Sequence, residues 1–265
     1  MSYREDYLTY TDGLNPDYRR IFHGQDEPIF RVLPERVQDN FRSSASENAL
    51  LWNTFYPRRF SLELVSLLKQ EPLWGSRLDL GTDVLEPYFW GFNVEGERLS
   101  QLDPVLEKVD GPGQKTEVDL FMLGSSSLIA VEAKNRSGLG RCARYSHHRC
   151  PEIHPDSLEG EVICAYWEDG AARFSSFLDF GERPEPEDNQ PPCARYYQLA
   201  RTLLVVVNLA AELNLRPFLW LLIPKSRWPG FQREWVDFAG RILDSELWRS
   251  ARVLNWESVR QIPSD

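Results

Sequence analysis

The chain has 265 residues, 42% of them hydrophobic, with nine Trp and fourteen Phe, enough for one sizeable core carrying insertions. Its formal net charge is -10 and its pI about 5.0, which excludes overall basicity as a means of coating nucleic acid but allows one local basic patch. No apolar run reaches the length of a membrane span and the opening MSYREDYLTY is too polar for a secretory leader. A cytoplasmic protein with no membrane partner and four reduced Cys is therefore expected.

Residues 1–40 are polar, rich in Asp, Arg and Pro and without a period, and read as an irregular N-terminal arm. Residues 41–265 read as one domain. Ser44-Ala45-Ser46-Glu47 fits a capping box at a helix start. Leu50, Leu51, Phe55, Leu62, Val65, Leu67 and Leu68 continue at helical spacing, and Pro57 predicts a break into two helices. Residues 79–115 hold a strand around 85–92 and a polar loop ending in Gly111-Pro112-Gly113.

Val118, Leu120 and Met122 then alternate with Glu117, Asp119 and Phe121, a period-two strand. Gly124-Ser125-Ser126-Ser127 makes a turn, and Leu128-Ile129-Ala130-Val131-Glu132-Ala133-Lys134 returns as the second strand of an antiparallel hairpin. Residues 136–193 form a loop-rich insertion that includes ERPEPEDNQPP. Residues 194–215 predict a long helix buried on a sheet, 217–224 an interior strand, 231–243 a helix and 251–259 a last strand. This order predicts an α/β protein with a mixed central sheet.

Successive even or odd residues of a strand share a face, so Glu132 and Lys134 point together, as do Glu117 and Asp119. In the obvious register Asp119, Glu132 and Lys134 converge. Two close carboxylates suit Mg²⁺, and a neighbouring lysine can orient water and offset phosphate charge. The plain alternative is a cross-strand ion pair of Glu132 and Lys134 on a solvated face.

Asp119, twelve residues and then Glu132-Ala133-Lys134, with the lead-in Glu117-Val118-Asp119, resembles the PD-(D/E)XK nuclease superfamily. The resemblance implies a three-layer α/β/α restriction-endonuclease-like core with the loop-rich insertion at 136–193. It implies a Mg²⁺- or Mn²⁺-dependent endonuclease that hydrolyses DNA phosphodiesters, in a restriction or defence setting, with a homodimer as one assembly. Asp119 and Glu132 would hold the ion and Lys134 would position the attacking water. Glu47 matches the acid that members often carry on the first helix, though a helix cap explains it equally, and Gln198 matches a glutamine found after the motif. Glu47 and Glu117 are candidates for a second ion. No Pro precedes Asp119, and Thr202 stands where the exonuclease branch has Tyr, which argues against an exonuclease.

Arg136, Arg141, Arg144 and Arg149, with His147 and His148, follow Lys134 without an intervening acid. They form a candidate grip for a DNA backbone, or else a solvated loop. Cys142, Cys150, Cys164 and Cys193 fall in the same insertion with three of the four His, including His154. They are candidate ligands of a structural Zn²⁺, or buried free thiols, since no Cys-x-x-Cys pair occurs. The alternative function is a catalytically silent nuclease-fold module that binds nucleic acid or protein, held together by zinc.

Overall fold

A computed structural model describes residues 21, 23–41, 46–76, 83–155, 164–168, 173–186 and 188–263. Among the described residues five strands make one mixed sheet in chain order: β1 (Glu86–Phe89), β2 (Leu120–Leu123), β3 (Ser127–Ala133), β4 (Arg216–Ile223) and β5 (Arg252–Asn255). β1, β2 and β3 are antiparallel neighbours, whereas β3, β4 and β5 run parallel. The hairpin register pairs Leu120 with Val131, as the alternation predicts.

Alternation along β3 feeds two separate cores. Leu128 and Ala130 enter one, and Ile129, Val131 and Ala133 enter the other. The first core is covered by α4 (Leu102–Asp110), α7 (Tyr197–Leu213), α8 (Trp228–Ala239) and α9 (Ser245–Ser250), with Tyr166, Phe174 and Phe180 of the insertion. The second is covered by α1 (Glu35–Asn40), α2 (Glu47–Phe55), α3 (Leu64–Leu68) and α10 (Trp256–Val259). Helices on both faces of a mixed sheet make the expected three-layer α/β/α fold.

Several elements differ from their sequence expectation. The described end of the N-terminal arm is not irregular: a 3-10 turn (Pro28–Arg31) and α1 bury Ile29, Leu33 and Val37 in the second core. Residues 1–20 lie outside the described residues, as do Ser44 and Ala45 of the expected capping box. The cap that forms is Ser46, whose hydroxyl accepts from the Ala49 amide at 2.9 Å, and Pro57 ends α2 as expected, in a 3-10 turn at Tyr56–Arg58.

The polar loop before Gly111 is in fact α4. Its Leu102, Val105, Leu106 and Val109 lie at helical spacing and all pack into the first core. After a single turn, α5 (Ala143–Ser146), the expected long helix is two, because the chain breaks at Tyr196 between α6 (Pro192–Arg195) and α7. The last strand is also shorter. Asn255 closes β5 and caps α10 by accepting from the Ser258 amide at 2.7 Å. No helix among the described residues is long and apolar enough to cross a membrane.

Candidate active site

Asp119 lies one residue before β2, and Glu132 occupies the sixth position of the seven-residue β3, beside it in register. Both face the layer of α7. Asp119 is tied to the end of β3 by the Ala133 amide, which donates to Asp119 Oδ2 at 2.8 Å. Glu132 is fully buried, with 0% of its surface exposed. A charge in such a place needs donors, and α7 supplies two from one helix face. Gln198 Nε2 donates to Glu132 Oε2 at 2.6 Å, and Thr202 Oγ1 donates to Glu132 Oε1 at 2.5 Å.

The break at Tyr196 sets this geometry. It frees the Gln198 amide to donate to the Gly140 carbonyl at 3.1 Å, while Gln198 Oε1 accepts from the Gly140 amide at 2.7 Å. A Cβ on Gly140 would stand 3.0 Å from Gln198 Oε1, so the close approach favours a residue without a side chain. Gln198 therefore bridges the start of the insertion to Glu132, with its amide orientation fixed from both ends.

Lys134 follows β3 and is also buried. Its Nζ lies 3.7 Å from Glu132 Oε2, its amide donates to the Leu222 carbonyl at 2.8 Å, and its carbonyl accepts from Trp256 Nε1 at 2.9 Å. Burial opposes the ammonium, but Asp119, Glu132 and Glu47 together hold its pKa above the ordinary lysine value. Burial raises the Asp119 and Glu132 pKa values; the Asp119 charge adds to the rise at Glu132, and the Glu47 charge adds to the rise at Asp119.

Glu47 and Glu117 have other partners. Glu47 Oε1 accepts from the amides of Asn135, Arg136 and Ser137 at 2.6, 3.1 and 3.1 Å, and from the Ser137 hydroxyl at 2.8 Å. Burial works against its charge, yet these donors and Lys134 bring its pKa below the ordinary value. Its carboxylate thus holds the segment after Lys134 and does not close a cap at the start of α2. Arg227 holds the same segment from the other side, donating to the carbonyls of Asn135 and Ser137 at 2.9 Å each. Glu117 pairs with Arg36 at 2.7 Å, on the rim.

Arg136, Arg141, Arg144 and Arg149 are all exposed, and none pairs with a described acid. Among the described residues no three His, Cys, Asp or Glu side chains are arranged to hold a metal ion as they stand, so the expected zinc set of Cys142, Cys150, Cys164 and Cys193 is not preformed. Trp256, Gly140 and Arg227 were not selected from the sequence, and Thr202 was named there only as a departure from the exonuclease pattern. Only Thr202 carries a signal, as the residue one helical turn beyond Gln198.

A mixed sheet with helices on both faces, and an acid pair with a lysine at the ends of β2 and β3, defines a restriction-endonuclease-like protein. The family model described as Restriction Endonuclease associating with ARP matches residues 32–264, and the chain belongs to that family, with a nuclease-related role. No curated protein and no solved structure matches it.

Proposed function

We propose that the protein is a metal-dependent endonuclease that hydrolyses phosphodiester bonds of DNA. The observation that carries this reading is the position of Glu132: a fully buried acid, fixed by Gln198 and Thr202, beside Asp119 and within 3.7 Å of the Lys134 ammonium. Such a group is costly to the fold, and a role in chemistry accounts for it.

The donor set fits a hard divalent cation. Asp119 and Glu132 stand side by side on adjacent strands, and a cation between them would leave both carboxylates charged and neutralised. These two residues would hold Mg²⁺ or Mn²⁺. Bound there, the ion supplies Lewis acidity toward the phosphate and lowers the pKa of water.

The remaining roles belong to the chain's own side chains. Lys134 offers N–H donors to a water or a phosphate oxygen beside the acids, and its backbone, pinned by Leu222 and Trp256, keeps that donor in place. Gln198 and Thr202 keep Glu132 oriented. Glu47 and Arg227 fix the segment that carries Arg136, and the exposed Arg136, Arg141, Arg144 and Arg149 meet the DNA backbone. The family's description speaks of association with ARP, and we take such a partner as part of this proposal.

Titration with Mn²⁺ tests the metal set directly. The wild type is expected to bind the ion, with Asp119→Asn and Glu132→Gln each losing at least about ten-fold in affinity. Equal binding by all three proteins would remove these acids from the metal site and favour the silent binding module.

A further inference from the structure

A cavity of about 410 Å³ adjoins the acid pair, a size within the roughly 300–1,000 Å³ of pockets that take a small ligand. The chain on either side of Asp119 builds part of its wall, Glu117 and Val118 before that residue and Phe121 after it. Two residues of chain separate Glu117 from Asp119, a reach of at most about 7 Å. Trp90 lines the cavity as well, and its amide donates to the Asp119 carbonyl at 3.1 Å. Leu102 and Leu106 of α4 add apolar surface.

The charges of this wall are already neutralised. Arg36 pairs with Glu117 and Lys115 with Glu107, each at 2.7 Å. Arg98 is held from three sides: Nε and Nη2 donate to Asp103 Oδ1 at 2.9 and 2.7 Å, and Nη1 donates to the Trp90 carbonyl at 3.0 Å. Three cations and three acids thus cancel among the described residues of the wall, which leaves no net charge to attract a phosphate. What remains is a flat surface with fixed polar groups around it. The Arg98 guanidinium lies over the Phe92 ring, 4.6 Å from its centroid, and bases stack on surfaces of this kind. The turn beneath is strained. Trp90 has φ 51 and Gly91 φ 84, a left-handed conformation that a bulky side chain rarely adopts. Hydrogen bonds from Trp90 to Asp119 and from Arg98 to Trp90 hold the strain in place, and strain kept beside an active site points to a use beyond packing.

We propose that this cavity receives one nucleobase, unstacked from the DNA strand whose phosphate lies at Asp119 and Glu132, and so fixes which phosphodiester is cut. The inference rests on the nuclease reading and names the part of the substrate that the cavity holds. A neutral, flat heterocycle with donors and acceptors on its edge matches a neutral wall with a stacking platform and immobile polar groups. An anion or an aliphatic side chain uses only half of those features. Stacking on Phe92 and Arg98 replaces the stacking that the base loses on leaving the duplex.

The full chain is photocrosslinked, in Mg²⁺ and in EDTA, to duplexes in which each of the four bases in turn carries bromine or iodine. Mass spectrometry locates the crosslinks, and fluorescence anisotropy reads binding of the same duplexes. Crosslinks to Phe92 or Trp90 are expected from at least one duplex. Phe92→Leu keeps an apolar side chain but loses the ring; it is expected to weaken binding at least about five-fold and to remove those crosslinks, with Phe92→Tyr restoring both. Duplexes that bind and crosslink to the insertion, yet nowhere around the cavity of the wild type, would overturn the base pocket and leave the nuclease reading standing, whether or not the variants fold. Halogenated mononucleotides that crosslink to Phe92 when no duplex does would also refute it, and would make the cavity a site for a free nucleotide. Failure of every duplex to bind would sink both readings together. Crosslinked peptides are read here, not cut ends, so none of these outcomes depends on cleavage.

Discussion

At the scale of single residues, the site is a compromise between charge and packing. Glu132 has no exposed surface, and burial opposes its ionisation. Replacing it by the isosteric Glu132→Gln removes a buried charge while keeping the shape that Gln198 and Thr202 contact. In metal-free buffer this variant is expected to melt at or above the wild-type temperature, although cleavage falls at least about a hundred-fold. Thermal unfolding read beside a cleavage assay checks both halves, and a clear drop in melting temperature would show that the charge stabilises the fold. Thr202 behaves in the opposite way. Thr202→Val leaves Glu132 Oε1 without its donor and is expected to cost about 1–3 kcal/mol in urea unfolding, with Thr202→Ser restoring most of it. Asp119, Glu132 and Lys134 were legible in the sequence because two adjacent strands place them by a simple period of two. Trp256 was not, since its contact with the Lys134 carbonyl joins residues that no local pattern connects.

At the scale of elements, the hairpin that carries the acids is held by a residue outside it. The Asp83 carboxylate accepts from the Ser125 and Ser126 amides at 2.8 and 3.1 Å and from the Ser127 hydroxyl at 2.7 Å, closing the β2–β3 turn. A Cβ on Gly124 would lie 2.2 Å from Asp83 Oδ2, so this turn also needs its glycine. Burial raises the Asp83 pKa, but the Ser127 hydroxyl and the two amides outweigh it, bringing the value from 3.8 to about 2. A depressed folded value means that the clamp contributes fully above the ordinary value and fades as pH falls through the folded one. The difference in urea midpoint between wild type and Asp83→Asn is thus expected to be constant near neutral pH and to shrink between about pH 4 and pH 2. A difference independent of pH would assign the clamp no charge. Other elements were hidden for local reasons. Pro104 sits in the first turn of α4, where proline is tolerated, and its presence in a charged stretch masked the apolar stripe of that helix. The break at Tyr196 was hidden because the partner of the freed Gln198 amide, the Gly140 carbonyl, lies on the far side of the insertion.

At the scale of the whole molecule, a net charge of -10 sets the terms for any encounter with DNA. The proposed binding rests on the exposed arginines of the insertion, and it is expected to weaken steeply as salt rises. Removing Arg136, Arg141, Arg144 and Arg149 together should flatten the plot of log affinity against log salt by about 0.9 for each phosphate that is no longer neutralised. Fluorescence anisotropy with a labelled duplex measures this, and an unchanged slope would place the DNA elsewhere. The layered architecture was legible because each strand and its covering helix carry their own periodicity. The contribution of the N-terminal segment to the second core was not, since Ile29, Leu33 and Val37 are spread through a polar, proline-containing stretch.

Hydrolysis by Asp119, Glu132 and Lys134 is tested on supercoiled plasmid, in which a single cut is visible. Wild type and Lys134→Ala are incubated with it in Mg²⁺, Mn²⁺ or EDTA, with any ARP partner supplied in a parallel set. Nicked or linear product is expected from the wild type in either metal, absent in EDTA and reduced at least about a hundred-fold in Lys134→Ala. Equal cutting by both proteins, or an intact plasmid in every metal with and without the partner, would contradict it.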